Sequence, residues 1–408
     1  MISSRFYFFM LCIATAICTQ SVQCENNIQC ENNVQWLIVG DGPAGIATIG
    51  VLHDLGIPYD QIIWVGSAFN VGRIGEFYAG VPANNSTAKF FDFVTACNTF
   101  KESNSPEFQK LLEHDQNEYH TLGIIIPVLK DITEYLRTKL ISYQGWLKGL
   151  HFSEGIWCAR VNDVKICAEH VVLATGCHPR ELDYENVSVI PLDQALDKNT
   201  LATYVTPENT IGIIGGSHSG ILVIKYLYEL SVKKIINFYR SPITYTTPTG
   251  QGWSLHAYEG LKGATATWAR EVLEGPNPPA NILRIYNDEA ARARYLPECD
   301  KVIYSVGFDR NDLPLTEEYE GIEYDDATGV IAPSLFGIGI AFPEYYIDPL
   351  GNEDHRVGLT SFMDYAQRII PQWVAGLGSA ENVKRNELLG QRRAVLESFA
   401  DLFMIDLL

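Results

Sequence analysis

Two segments of this chain repeat one pattern: an apolar run, a glycine-rich turn, and an amphipathic stretch long enough for a helix. In the first, Trp36-Leu37-Ile38-Val39 leads into Gly40-Asp41-Gly42-Pro43-Ala44-Gly45 and a helical segment to about Leu55, with Gly56 as its stop. In the second, Thr210 to Ile214 leads into Gly215-Gly216-Ser217-His218-Ser219-Gly220 and a helix through Leu230. The first glycine of such a turn permits a tight reversal, the second lets the backbone approach a pyrophosphate, and the third lets the helix pack against the strand. The bare helix N-terminus then offers unpaired N–H groups and a favourable dipole to phosphates.

Each turn is followed by a further apolar strand, Ile62 to Val65 in one case and Lys234 to Tyr239 in the other. From Val34 onward, apolar runs alternate with helical periods, the pattern of a parallel sheet covered by helices. The expected fold is therefore α/β, with two Rossmann-like dinucleotide-binding domains. Two positions depart from the fingerprint. Gly66 and Ser67 stand where an acid that holds a ribose is usual, and Ser217 takes the place of the middle glycine in the second turn. The second unit's strand ends at Arg240, the residue type that accepts a ribose 2′-phosphate through charge-assisted bonds, which favours NADPH over NADH. The competing reading of Arg240 is a solvated strand end.

Composition narrows the class. At 47% hydrophobic and 19% charged residues, the chain is neither disordered nor collagen-like. A net charge of -19 without a Lys/Arg run argues against a nucleic-acid partner. Residues 1–24 carry Arg5 and an apolar stretch from Phe6 to about Cys18, the layout of a secretory signal peptide, with an uncleaved N-terminal membrane anchor as the alternative. A secreted or secretory-lumen protein follows, and there the sequons at Asn84, Asn85 and Asn186 become glycosylation acceptors. Cys97, Cys158, Cys167, Cys177 and Cys299 form no CxxC or CxxxxC pair, which gives neither a metal site nor a redox dithiol.

Between the two units stands Val171-Val172-Leu173-Ala174-Thr175-Gly176, and after the second comes Asp300 to Phe308, with Gly307 near its end. Together with the glycine turns, these resemble the crossover strands of FAD-containing pyridine-nucleotide oxidoreductases and flavin-containing monooxygenases, over almost the whole chain after residue 33. The missing dithiol separates the chain from the thioredoxin-reductase branch. Val81-Pro82-Ala83-Asn84-Asn85-Ser86 is similar to the loop that brings an asparagine near the flavin edge in flavin-containing monooxygenases, and Leu173-Ala174-Thr175-Gly176 is similar to the ATG segment of N-hydroxylating monooxygenases. The FxGxxxHxxx(F/Y) segment of flavin-containing monooxygenases is not found before the second turn. Leu335 to Ile340 looks like the last FAD-binding strand and turn, with Ile340 where many relatives have an aspartate.

The resemblance implies an NADP domain inserted into a discontinuous FAD domain: residues 31–205 and 309–408 for FAD, 206–308 for NAD(P). It implies FAD on Gly40, Gly42, Pro43, Ala44, Gly45, Gly72, Thr175, Gly176, Gly307 and Gly339, and NADPH on Gly215, Gly216, Ser217, Ser219, Gly220 and Arg240. The implied chemistry is oxygenation of a small soft nucleophile, at nitrogen or sulfur, through a flavin hydroperoxide, with dioxygen as co-substrate and Asn84, Asn85 and His218 at the reacting centre. The same reading allows a homodimer, and it expects Phe342-Pro343 and a C-terminal helix ending near Leu408 to close over the flavin. Three alternatives stay open: the asparagines capping a loop, His218 as a turn residue, and an NAD(P)H-dependent reductase or oxidase without oxygen insertion. A degenerate nucleotide-binding protein is a further one, motivated by Gly66, Ser217 and Ile340.

Overall fold

The computed structural model describes residues 32–379 except 183, 185, 186, 252 and 314–323. The leader, the sequon at Asn186 and the expected C-terminal helix lie outside the described residues. Along the strand Asn32–Val39, Trp36 and Ile38 enter the core on one face of a sheet, and Leu37 and Val39 enter the core on the other. A strand buried on both faces belongs in the middle of a parallel sheet, and this one pairs in parallel with Ile62–Gly66 on one side and Val164–Leu173 on the other. Leu335–Gly337 continues the sheet in parallel beyond Val164–Leu173, and Ile141–Gln144 does so beyond Ile62–Gly66.

Helices cover one face. Pro43–Asp54 lies on the sheet with Leu359–Val374 and Ile126–Lys139 beside it, and all three bury apolar residues in a single cluster. The opposite face is covered by the antiparallel strands Leu147–Ser153 and Ile156–Val161, which contribute Leu150 and Trp157.

The second sheet runs Ile282–Tyr286, Lys234–Tyr239, Thr210–Ile214, Lys301–Tyr304 and Ser188–Val189, with every pair parallel. Its core holds Ile190, Leu192, Ala195, Leu196 and Leu201 as well as residues of the central strands. The expected boundary at 205/206 therefore falls inside the second unit, which starts at about Ser188; the glycine turn marks its nucleotide end and not its first element. The first sheet resumes at Val330–Ala332, so the second unit is inserted into the first. Two short strands carry the chain across, Cys177–Pro179 outward and Phe308–Arg310 back, paired antiparallel.

Phe342 does not cover the site. It is fully buried beneath the last strand, with Arg310 over its ring at 4.1 Å. An aromatic next to a buried strand end found more apolar surface in the core than in the cleft.

Candidate functional site

At the first glycine turn, Gly40 has φ +125°, and a Cβ there would sit 2.1 Å from the Ala174 carbonyl oxygen. At Gly45 it would sit 2.1 Å from the Gly40 carbonyl oxygen. Strand-end hydrogen bonds fix this close approach: the Gly40 amide donates to Val65 O at 2.8 Å, the Ala174 amide to Val39 O at 2.7 Å, and Trp64 Nε1 to Gly40 O at 2.8 Å. Gly42 is different. Nothing lies within 4 Å of its missing Cβ, so its glycine character leaves room for something outside the chain.

A cleft of about 620 Å³ opens over this turn. Of the residues predicted from sequence, Gly40, Gly42, Pro43, Ala44, Gly72, Asn84, Asn85, Thr175, Gly176, His218, Ser219 and Gly339 line it. The Thr175 hydroxyl is buried without a hydrogen-bond partner, an orphan that a ligand phosphate or hydroxyl would satisfy. A bare twelve-residue helix, Pro43–Asp54, starts at Gly42 with proline in its first turn and no side-chain cap. The open space at Gly42, the orphaned hydroxyl and the uncapped helix end fit a bound dinucleotide pyrophosphate.

The remaining predicted residues lie elsewhere. Gly45 packs helix to strand. Gly215 has φ +117° with Ser305 O 2.0 Å from its built Cβ, and Gly220 packs on Gly215, so these are turn and packing positions of the second unit. Gly216 faces Tyr239, exposed Ser217 precedes the helix His218–Glu229 without a side-chain cap bond, Gly307 sits in the returning crossover with φ +100°, and Arg240 is exposed at its strand end. None of these seven lines the cleft.

A cation that sequence reading missed lies beside the second turn. Arg284, on Ile282–Tyr286, stacks over the Tyr239 ring at 4.8 Å and donates from Nε to Asn237 Oδ1 at 3.2 Å. Its Nη2 is buried and unpartnered, 3.9 Å from where a Gly216 Cβ would be. Burial holds its pKa below the ordinary arginine range. The available signal was a lone arginine inside an apolar strand.

The loop carrying the asparagines is pinned. The Ala83 amide donates to His120 O at 2.8 Å, Leu122 N to Val81 O at 2.9 Å, and Thr87 N to Glu118 O at 3.0 Å. Ser86 is the N-cap residue of Thr87–Thr95, so neither asparagine caps that helix. On the same cleft, both ring nitrogens of His218 are buried without a partner. Burial, reinforced by the neighbouring Lys262 charge, pushes the imidazole down to about 4 and keeps it neutral at physiological pH. Burial also lowers the Lys262 ammonium, which lines the cleft with Tyr258. Asn84, Asn85, Tyr258 and Lys262 continue into a second hollow of about 880 Å³ that opens outward. One cysteine, Cys177, lines the main cleft, its thiol raised by burial to about 11. A dithiol relay has no second member among the described residues there.

Two dinucleotide folds, one inserted in the other and sharing a cleft at their junction, define the architecture of two-dinucleotide flavoenzymes. No protein-family model matches the chain. In sequence it is similar to "Monooxygenase AgnR1" of Paecilomyces divaricatus, 28% identical over 384 residues, covering 83% of this chain and 97% of that protein. In fold it is similar to a flavin-containing monooxygenase from Stenotrophomonas maltophilia (TM-score 0.56, 15% identity, 84% of this chain and 99% of that one). It is also similar to an ornithine N-hydroxylase from Kutzneria, whose structure carries reduced FAD, NADP+ and L-ornithine (TM-score 0.55, 14% identity, 83% and 98%).

Proposed function

We propose that the protein is an FAD-dependent, NADPH-using oxidoreductase of the monooxygenase kind, acting on a small soft nucleophile at nitrogen or sulfur. The observation that carries this reading is the continuity of one cleft from the first glycine turn, past Thr175, to Asn84, Asn85 and His218. FAD bound there supplies hydride acceptance from NADPH and activation of dioxygen. The chain's own residues do the rest. Gly42 and the helix behind it hold the pyrophosphate, while Phe90, Leu222 and Phe362 line the cleft and keep water from the reacting centre. Neutral His218 donates from one ring nitrogen and accepts at the other, and the asparagines of the pinned loop donate amide hydrogens into the same cleft. Arg240 and Arg284 supply cationic donors to the 2′-phosphate of NADPH. The sulfur- and nitrogen-directed chemistry draws on the resemblance to monooxygenases, and entry into a secretory lumen draws on the leader-like stretch Phe6 to Cys18.

The test is reconstitution of the full chain with FAD, anaerobic NADPH addition followed by visible absorbance, then admission of isotopically labelled dioxygen with amine and sulfide substrates. Bleaching by NADPH and label in the product support the reading. Bleaching followed by hydrogen peroxide with no labelled product for any substrate reassigns the protein as a reductase or oxidase.

A further inference from the structure

In the first unit an acid is absent from the end of the second strand, where Gly66 stands. A side chain at Gly66 would meet Asp41 Cβ at 2.6 Å and Asp41 Cγ at 3.0 Å. The space of the missing side chain is thus filled by another acid, reached from inside the glycine turn. Asp41 is 5% exposed. Its Oδ2 accepts the amides of Ala68, at 3.1 Å, and of Phe69. These bonds engage Oδ2 alone; Oδ1 lies toward Gly72, 4.0 Å from where its Cβ would be, on the cleft wall. A buried carboxylate with one oxygen engaged has acceptor capacity to spare.

The same end of the cleft carries Trp146, which is 65% exposed although it lines the cleft. The backbone that carries it is anchored beside the turn, because the amide of the preceding Gly145 donates to Gly66 O at 2.9 Å. An indole held open beside a nucleotide turn has a face free for a planar base.

We propose that Asp41 and Trp146 form the receptor for the adenosine half of FAD: Asp41 accepts a ribose hydroxyl in place of a strand-end acid, and Trp146 carries the adenine face. This rests on the FAD reading above. It also explains why residue 66 is glycine, since an acid there and an acid at 41 exclude each other sterically.

The test titrates the full chain, stripped of nucleotide, with FAD, with FMN, and with an FAD analogue lacking both adenosine ribose hydroxyls, following flavin fluorescence. The wild type is expected to bind FAD about tenfold or more tighter than the analogue. Asp41→Asn, which keeps an acceptor for the Ala68 and Phe69 amides, brings that ratio close to one. Trp146→Ala weakens FAD by about tenfold and leaves FMN unchanged. A ratio that persists in Asp41→Asn, or FMN and FAD weakening together in Trp146→Ala, overturns the proposal and leaves the flavoprotein reading standing. A wild type that binds neither FAD nor FMN overturns both.

Discussion

The Tyr78 hydroxyl donates to Asp193 Oδ1 at 2.6 Å, and the other oxygen of that carboxylate pairs with Arg73. Arg73 lies on the short helix Gly72–Phe77 of the first unit and Tyr78 directly follows it, whereas Asp193 lies on the short helix Leu192–Ala195 at the start of the second unit. The carboxylate therefore ties the two bodies at the cleft. Asp193→Ala leaves a tyrosine and an arginine without their acceptor and is expected to cost about 1–3 kcal/mol. The larger effect falls on the approach of the two units. Anaerobic stopped-flow reduction by NADPH slows while FAD affinity stays within about threefold, a shift small against the tenfold that 1.4 kcal/mol produces. An unchanged reduction rate with lost FAD affinity would place Asp193 within the FAD site instead.

The two glycines of the first turn should fail in different ways. At Gly40 a methyl group meets the Ala174 carbonyl at 2.1 Å with φ +125°. Gly40→Ala is thus expected to cost roughly 3 kcal/mol or more and to lower the yield of folded protein. At Gly42 the methyl meets open space, and stability should change by less than about 0.5 kcal/mol. FAD affinity should nonetheless drop at least about tenfold, since the methyl occupies the path of the pyrophosphate. Calorimetric melting and flavin titration separate the two. Full FAD affinity in Gly42→Ala would show that the ligand does not pass over this turn.

Arg284 and Arg240 make separable contributions to coenzyme choice. Arg284 is the better fixed, stacked on Tyr239 with an unpartnered nitrogen beside Gly216. Arg284→Leu is expected to raise KM for NADPH about tenfold and to change KM for NADH by less than about threefold, because charge-assisted contacts to phosphate exceed neutral ones. Arg240→Leu, which removes an exposed side chain, has the smaller effect. If NADPH and NADH weaken equally in Arg284→Leu, the residue acts on a part of the coenzyme common to both.

The sequence made the turns and sheets readable because their constraints are local. Gly40 and Gly45 must be glycine to clear backbone atoms, and Trp36 to Val39 is apolar at every position because both faces of its strand are covered. Thr175, Asn84, Asn85 and His218 were singled out by resemblance and not by local pattern, and the fold brings all four to one cleft. What escaped depends on partners distant in sequence. Ser188–Val189 is too short to announce a strand and is defined by pairing with Lys301 and Val302. Arg284 gains its meaning from Tyr239 and Gly216, and Lys262 from the neighbouring His218. Phe342, expected over the flavin, was drawn into the core by Gly337, whose missing side chain leaves room for its ring.

His218 gives a pH signature independent of any substrate. Its pKa in the folded protein is about 4 against an ordinary value of 6.5, so the unfolded chain takes up a proton first as pH falls. The stability tied to the neutral ring is intact above pH 6.5 and is lost as pH falls from 6.5 toward 4. The loss is of order 3 kcal/mol at its limit. Carboxylates titrate in the same window, so the comparison is with His218→Gln, which keeps polar atoms in the cleft but cannot charge. Urea unfolding at pH 7.5 and 4.5 is expected to show the wild type losing about 2–3 kcal/mol more than the variant. Equal losses would mean that the folded protein does not hold the ring below its ordinary pKa, and that the cleft does not desolvate His218 as its burial implies.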